Sequence, residues 1–258
     1  MSVRVRLYRF YWWLEKRIVP GHASSQYVYW RELKQNLCEA AVWLDLGCGR
    51  HLFTEWMTAE QQEMIRRSKQ LVGIDLNRAS LLRHEGLRDR VEGSLERLPF
   101  RDGAFDLVTA NMVVEHLRDA HEILHEIRRV LKPGGLFIFH TPNYLNFAIF
   151  GASLVPQALK NRLVRLFEKR REEDVFPTFY RMNTPKAIRH VGAEVGFSVV
   201  RLTLTDTSAL TVILGPIVIL ELLWIRLCRR EGLRNLRSNI VAVLRNSPAS
   251  GIERRASA

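Results

Sequence analysis

The chain is poor in cysteine, and its first residues are not those expected of a secretory signal. It has 258 residues and only three cysteines, Cys38, Cys48 and Cys228. Their odd number and scattered spacing match neither a disulfide framework nor a metal site. Arginines interrupt the first 20 residues, where a secretory signal needs an uninterrupted apolar core. We therefore expect a cytoplasmic protein and no metal ligands.

Acidic residues are scarce relative to basic ones. There are 27 Asp and Glu residues against 39 Lys and Arg residues, which gives a formal net charge of +12. This excess favours an anionic partner such as membrane lipid, nucleic acid or an acidic substrate, although solubility alone also accounts for it. With 47% hydrophobic residues, the chain is able to bury the core of one α/β domain.

An apolar run ends in a glycine turn at Trp43–Arg50, W-L-D-L-G-C-G-R. A second apolar run over residues 70–77 ends near an acid, Asp75. Strand, glycine turn, helix, strand and acid in this order are typical of a nucleotide-binding α/β unit. The third glycine of the dinucleotide fingerprint is missing, because Leu52 occupies its position. A pyrophosphate site is therefore not expected.

Strand and helix patterns alternate along the chain. Strands are predicted near 41–46, 70–75, 89–94, 105–111, 135–141, 198–205 and 238–245, and helices near 3–19, 24–37, 54–67, 78–86, 119–131, 156–171 and 185–195. Such alternation predicts a parallel sheet with helices on both faces.

Four sequence blocks resemble, in order, the motifs of class I S-adenosylmethionine (SAM) methyltransferases. They are L-D-L-G-C-G (44–49), V-G-I-D (72–75), L-P-F-R-D-G-A-F-D-L-V (98–108) and R-V-L-K-P-G-G (129–135), with E-H-L (115–117) between the last two. The pattern is most similar to the group that includes quinone-biosynthesis and other small-molecule enzymes. The resemblance implies a Rossmann-like, seven-stranded, mostly parallel sheet with an antiparallel last strand and helices on both faces. It also implies SAM as cofactor.

The resemblance assigns cofactor-binding roles to a set of residues near the strand ends. They are Asp45, Gly47, Cys48, Gly49, Asp75, Leu76, Ser94, Leu95, Asn111 and Met112. Asp75 would hold the ribose hydroxyls and Leu76 would pack on the adenine, whereas packing alone is the simpler role for Cys48. Relatives usually have glycine at the position of His51. Either the helix starts late and His51 is merely exposed, or Arg50 or His51 meets the SAM carboxylate.

His116 and His140 are the main candidates for a general base, and His51 is a third. His116 follows the fourth strand, in a position that often faces the acceptor. His140 lies inside the fifth strand, where a structural role in the core is the alternative. A carbon acceptor or an ionised phenol would need no base. The candidates for acceptor binding are Asn143, Tyr144, Tyr180 and Arg181.

We expect N-terminal basic-aromatic helices over 1–37, a methyltransferase domain over 38–246 and a disordered tail over 247–258. Within the domain, 144–183 is interpreted as an acceptor lid and 209–230 as an apolar segment. Its stretch 209–225 is shorter than the ~20 residues of a spanning helix and lies between two strands of one sheet. Membrane-surface binding, packing in the core or an oligomer, and a span remain the alternatives.

The expected activity is methyl transfer to a small-molecule or lipid-linked acceptor, such as a quinone precursor, a lipid or an envelope glycan intermediate. The protein would then lie at the inner face of an anionic membrane. RNA or protein methylation is an alternative, but residues 110–116, A-N-M-V-V-E-H, lack the proline turn of enzymes that methylate base amino groups. Nucleic acid is therefore not the expected partner. A non-catalytic SAM-fold scaffold is the third alternative, and oligomeric state is not predicted.

Overall fold

The structure is a computed structural model, which describes residues 3–146, 176–207, 209, 212 and 217–247. The helices are α1 Val3–Ile18, α2 Ser25–Asn36, α3 Thr58–Arg67, α4 Arg78–Leu82, α5 Ala120–Val130, α6 Pro185–Val195 and α7 Ile217–Leu227, with short 3₁₀ turns at Val114–His116 and Glu231–Leu236. The strands are β1 Val42–Leu46, β2 Gln70–Asp75, β3 Asp89–Glu92, β4 Phe105–Asn111, β5 Leu131–Pro142, β6 Phe197–Thr205 and β7 Asn239–Asn246. The predicted helix at 156–171 and the tail after Ser247 lie outside the described residues.

The strands form one seven-stranded sheet in the order β3-β2-β1-β4-β5-β7-β6. β7 runs antiparallel to both of its neighbours, and the other strand pairs are parallel. The predicted mostly parallel sheet with an antiparallel last strand is confirmed. Because the parallel strands end at one edge of the sheet, the residues that follow them meet there.

Both faces of the central strands β1 and β4 are covered, which explains why these strands are mostly apolar. Trp43 packs into a cluster with α2 and α3, whereas its neighbour Leu44 packs on the other face with α5 and α6. Successive strand side chains point to opposite faces, so the central strands contribute to two cores. The predicted helices on both faces are confirmed.

Arg129 joins two of the sequence blocks. Its guanidinium donates to the carbonyl oxygens of Phe100 and Leu98 at 2.7 and 3.0 Å and binds both carboxylate oxygens of Glu126 at 2.7 and 2.8 Å. It also pairs with Asp102 at 2.8 Å. One planar, five-donor side chain therefore fixes the loop before β4 onto the end of α5.

Three predicted boundaries were wrong. The helix expected at 54–67 begins only at Thr58, because the buried Gln61 side chain accepts from the Leu52 amide at 2.8 Å and holds the preceding residues as a loop. The helix expected at 78–86 ends at Leu82, where Arg90 donates to the carbonyls of the last turn. The fifth strand begins at Leu131 rather than 135, because Leu131 already pairs with Phe105 before a register shift.

α1 and α7 pack together as a separate pair beside the sheet. Their shared buried cluster is formed by Tyr11, Val19, Val212, Val218, Leu222 and Ile225. The Tyr11 hydroxyl donates to Glu221 at 3.3 Å, and the Ala209 amide donates to the Tyr11 oxygen at 2.7 Å. Among the described residues, no helix has both the length and the apolar character that crossing a membrane requires.

Candidate functional site

The glycine turn after β1 is bonded directly to the end of β2. The Gly49 amide donates to one carboxylate oxygen of Asp75 at 2.9 Å, and the Asn77 amide donates to the other at 2.7 Å. Gly47 and Gly49 have φ values of +58° and +52°, a conformation that side chains with a Cβ adopt at a cost. The turn is thereby shaped around a partly exposed carboxylate.

The space beside this turn is open to a ligand. A Cβ built on Gly49 would meet no atom within 4 Å, whereas one on Gly47 would lie 2.6 Å from a Val113 methyl. Leu76, which follows Asp75, is 59% exposed. An open glycine backbone, a carboxylate and an exposed apolar side chain fit the ribose and base of a nucleoside.

Asp45 lies beneath the turn and is almost fully buried. It accepts a hydrogen bond from the Thr109 hydroxyl, whose oxygen accepts from the Trp43 indole nitrogen at 2.7 Å. Burial raises the pKa of Asp45 to about 7. Cys48 is also buried, and burial raises the pKa of its thiol. Both residues support the turn from below in this structure.

Ser94 and Leu95 follow β3 and are partly buried. The Ser94 hydroxyl oxygen accepts from the Glu96 amide at 3.2 Å, and Leu95 packs against the core. Ser94 therefore begins a small turn, and its hydroxyl proton is still available to an acceptor.

Asn111, at the end of β4, is held by several side chains rather than open to a ligand. Its amide nitrogen donates to the Leu52 carbonyl at 2.9 Å and to Gln26 at 3.1 Å. Its oxygen lies 2.9 Å from His140 Nδ1 and accepts from Gln26 Nε2 at 3.2 Å. α2 thus reaches the carboxyl edge of the sheet through Gln26.

His140 is a core residue. It is 1% exposed and stacks on Tyr29 with ring centroids 5.9 Å apart. Burial lowers its pKa to about 4. A neutral ring enclosed in this way has no path to an acceptor, so the geometry does not favour His140 as a base.

Met112 follows Asn111 with a φ of +59° and is 40% exposed. Its amide donates to the His140 carbonyl at 2.8 Å, which stabilises this unusual conformation. The positive φ turns the chain away from the sheet and leads into the 3₁₀ turn that carries His116.

A segment over residues 177–183 packs against that 3₁₀ turn. The carbonyl of Glu115 accepts from the amides of Phe179 and Tyr180 at 2.8 and 3.2 Å, and His116 Nδ1 lies 2.8 Å from the Pro177 carbonyl. A carbonyl only accepts, so Nδ1 carries the proton and Nε2 is the basic nitrogen of the neutral ring. Burial lowers the pKa of His116.

Glu115 is a buried carboxyl group at the same place. One of its oxygens accepts from the Thr141 hydroxyl at 2.9 Å, and Thr141 in turn accepts from Asn183 at 2.6 Å. Burial raises the pKa of Glu115 to about 7. Burial also raises the pKa of Tyr180, and the charge of Glu115 adds to this effect.

The predicted acceptor residues divide into two groups. Tyr144 and Tyr180 lie side by side, with ring centroids 5.2 Å apart, and Arg181 is exposed. Asn143 is fully buried, and its amide nitrogen donates to the carbonyls of Asn235 and Arg237 at 2.8 and 2.7 Å. Asn143 is therefore occupied in holding the loop before β7 and does not face the other residues.

Sequence reasoning missed Glu115 and Gln26. Glu115 belongs to the quoted E-H-L block, and its position directly before His116 was the available signal. Gln26 carries no local signal, because it is 85 residues from Asn111 in the chain. In the part of the chain that the structure describes, no group of three or more His, Cys, Asp or Glu residues could hold a metal ion.

The residues that form this edge of the sheet match a known protein family. A family model described as a methyltransferase domain matches residues 44–139. These residues are a class I methyltransferase domain. The match runs from the glycine turn to β5, and S-adenosylmethionine is the cofactor of this domain class.

Relatives and solved structures agree with that assignment. A ubiquinone biosynthesis O-methyltransferase of Alkalilimnicola ehrlichii is 36% identical over 129 residues, which cover 45% of this chain and 49% of that protein. A malonyl-[acyl-carrier protein] O-methyltransferase of Legionella pneumophila is 33% identical over 104 residues, covering 38% and 35%. The chain spans about half the length of the first relatives it matches.

The fold is also that of solved methyltransferases. A SAM-dependent methyltransferase from Mesorhizobium loti superposes with a TM-score of 0.54 at 17% identity, covering 84% of this chain and 96% of that one. At this identity the likeness concerns the fold alone. The family model thus supports the methyltransferase domain, and the solved structures support the fold.

Proposed function

We propose that this protein transfers a methyl group from SAM to a small-molecule or lipid-linked acceptor. The observation that carries the proposal is the meeting, at one edge of the sheet, of the Gly47–Gly49 turn and Asp75 with the Glu115–His116 turn. Relatives named for ubiquinone biosynthesis and for malonyl-[acyl-carrier protein] methylation support an acceptor of this class.

The cofactor would be held mainly by backbone and carboxylate groups. Gly49 lets the turn approach it, Asp75 accepts from its ribose hydroxyls, and Leu76 covers its base. Asp45 and Cys48 support the turn from below, and Ser94 and Leu95 follow β3 on the side of Asp75. SAM, when bound, supplies an activated methyl group on its sulfonium sulfur.

The remaining residues act on the acceptor. The Tyr144 and Tyr180 rings form an aromatic wall that orients it and excludes water. For an oxygen acceptor, His116 takes the hydroxyl proton at Nε2 while the oxygen becomes methylated, because Nδ1 is committed to Pro177. The lowered pKa keeps His116 neutral, and therefore able to accept a proton, at neutral pH. His140 has no such access.

The proposal includes a peripheral position on an anionic membrane surface, at its cytoplasmic face. The basic excess of the chain and the exposed apolar residues of α1 and α7 support it. A quinone precursor, a lipid or an envelope glycan intermediate would be presented at that surface.

The first test is SAM binding by calorimetry with an Asp75→Asn variant. The amide replaces the charged acceptor of the ribose hydroxyls, so we expect binding about tenfold to a hundredfold weaker. Glu92→Gln is the matched control, because Glu92 is the register partner of Asp75 at the same edge and its side chain is 54% exposed. It should bind as the unmodified protein does.

Acceptor identity is tested by incubating cell extracts with the protein and methyl-labelled SAM, followed by mass spectrometry of labelled products. A labelled small molecule or lipid is the expected result. Absence of SAM binding by the unmodified protein would refute the proposal, and labelled RNA or protein would redirect it.

A further inference from the structure

The helix pair α1–α7 exposes many apolar side chains outside its shared cluster. On α7, Ile217, Ile219, Leu220 and Leu223 are exposed, and Leu220 reaches 66%. On α1, Phe10, Trp12 and Trp13 are each about half exposed. α7 is thus apolar on its buried and on its outer side, which is unusual for a surface helix in water.

The same pair is rich in basic residues. Residues 3–18 and 217–230 together contain eight arginines and lysines and two glutamates. The Arg17 guanidinium lies 4.0 Å from the Trp13 ring centre, and Trp13 stacks on Phe10 at 5.9 Å. Tryptophan, aliphatic residues and arginine in this mixture are typical of helices that lie in the headgroup region of a bilayer.

Topology places this pair at the edge that carries the site. β7 is antiparallel to both β5 and β6, so β6 runs parallel to β5 and both end at the same edge. α7 belongs to the connection that leaves β6 at this edge and returns as β7. The α1–α7 pair therefore stands beside the ends of β4 and β5 rather than at the opposite end of the sheet.

Hydrogen bonds tie the pair to the site. Arg229, just after α7, donates to the Pro20 carbonyl after α1 at 2.8 Å. The Ser25 amide at the start of α2 donates to the Asp206 carbonyl after β6 at 3.1 Å. The next residue, Gln26, binds Asn111 at the end of β4. A surface bound to α1 and α7 therefore lies next to the opening between the strand ends.

We infer that the α1–α7 pair docks on an anionic phospholipid bilayer and that the methyl acceptor is a lipid-tailed molecule held in that same bilayer. The inference rests on the proposed methyl-transfer function and specifies its acceptor. The bilayer buries the exposed apolar residues, and its phosphates pair with the arginines. The negative surface potential of the bilayer attracts each arginine and so strengthens binding. The acceptor's polar group then reaches the site from the headgroup region.

Docking is tested by flotation with vesicles of zwitterionic phospholipid, with and without phosphatidylglycerol. The full chain should float with the anionic vesicles, and added salt should weaken the binding. A double variant, Leu220→Glu with Leu223→Glu, places charge on exposed positions and should weaken vesicle binding by roughly tenfold or more. Val200→Glu is the matched control: Val200 is 46% exposed on β6, and its variant should float normally.

Acceptor presentation is tested with methyl-labelled SAM and membrane lipid extracts. Label should enter the organic phase with vesicles formed from the extract, and the double variant should lose most of this incorporation. The same variant should regain it when the extract is dispersed in detergent, because its site is intact. Unchanged SAM binding by calorimetry establishes that the variant is folded.

The outcomes separate the two proposals. If the unmodified protein binds no SAM and labels nothing, the proposed function fails whether or not the protein floats. If it binds SAM and labels only a water-soluble acceptor, or if the double variant floats as well as the control, the inference fails and the function stands. If the protein ignores vesicles and the double variant converts a dimer to a monomer in sedimentation, a second copy covers this surface, and the inference is wrong.

Discussion

Glu115 and Asp45 are two carboxyl groups whose pKa values burial raises to about 7. Among the described residues, neither carboxyl group forms a hydrogen bond with a basic side chain. Each accepts a hydrogen bond from a threonine hydroxyl: Glu115 from Thr141, and Asp45 from Thr109. At the scale of single residues, the stability of this edge of the sheet therefore depends on pH through Glu115 and Asp45, whether or not either carboxyl group contacts a ligand.

A Glu115→Gln variant tests this sensitivity. Folding raises the pKa of Glu115 from 4.5 to about 7. Between these values the folded protein holds a proton that the unfolded chain releases, so the free energy of unfolding falls as pH rises. Glutamine cannot ionise, so this fall is absent in the variant. From pH 4.5 to 8, the unfolding free energy of the variant should therefore rise relative to that of the unmodified protein by roughly 3 kcal/mol.

Urea unfolding across this pH range measures the difference. The exposed Glu92→Gln variant is the control. Its unfolding free energy should differ from that of the unmodified protein by a nearly constant amount across this pH range. Parallel pH curves for Glu115→Gln and the unmodified protein would mean that Glu115 ionises normally in the folded state.

The two glycines of the turn should respond differently to alanine. In Gly47→Ala the new methyl group would lie 2.6 Å from Val113, and the positive φ adds about 1 kcal/mol. We expect a loss of about 2–4 kcal/mol in unfolding free energy. Gly49→Ala incurs only the φ penalty, but its methyl enters the open space beside Asp75 and should weaken SAM binding at least about tenfold.

Urea unfolding and calorimetry on both variants give the two readouts. Equal destabilisation of the two proteins, or unimpaired SAM binding by Gly49→Ala, would contradict this account of the turn.

At the scale of elements, α5 is attached to the sheet by a small number of long side chains. Arg129 binds two backbone carbonyls and two carboxylates. Its neighbour Arg128 makes longer contacts with Asn246 and the Ser247 carbonyl, at 3.2 and 3.3 Å. The contrast predicts unequal sensitivity to the same replacement.

An Arg129→Lys variant should lose about 1–3 kcal/mol of unfolding free energy, because one ammonium group cannot replace a planar fork with five donors. Arg128→Lys is the matched control and should lose less than 1 kcal/mol or so. Denaturant unfolding measures both. A smaller loss for Arg129→Lys than for Arg128→Lys would show that the carbonyl contacts contribute little.

Element boundaries also show where sequence reasoning stops. The pattern at 54–67 predicted one continuous helix. In the structure, Phe53 and Met57 are buried in the cluster under α2, and Gln61 binds the Leu52 amide. A side chain nine residues away decides that helix start. The apolar residues that end α4 likewise give no sign that Arg90 will cap its last carbonyls.

At the scale of the whole molecule, the basic residues and the apolar surface coincide. The charge of +12 is spread along the chain, but α1 and the end of α7 combine arginine and lysine with exposed tryptophan, isoleucine and leucine. The apolar run that the sequence left open as membrane segment, core helix or oligomer contact is partly a partner for α1 and partly exposed. Among its described residues, the exposed ones form the surface that we propose for docking.

The sequence by itself determined the alternating elements, the glycine turn and the acid after β2. These features depend on residues close together in the chain, where periodicity and turn chemistry act directly. Tertiary structure alone decided that Gln26 reaches Asn111, that Asn143 is enclosed, that Glu115 is buried and that α1 pairs with α7. These are contacts between side chains tens to two hundred residues apart, and they depend on how elements pack rather than on any local pattern.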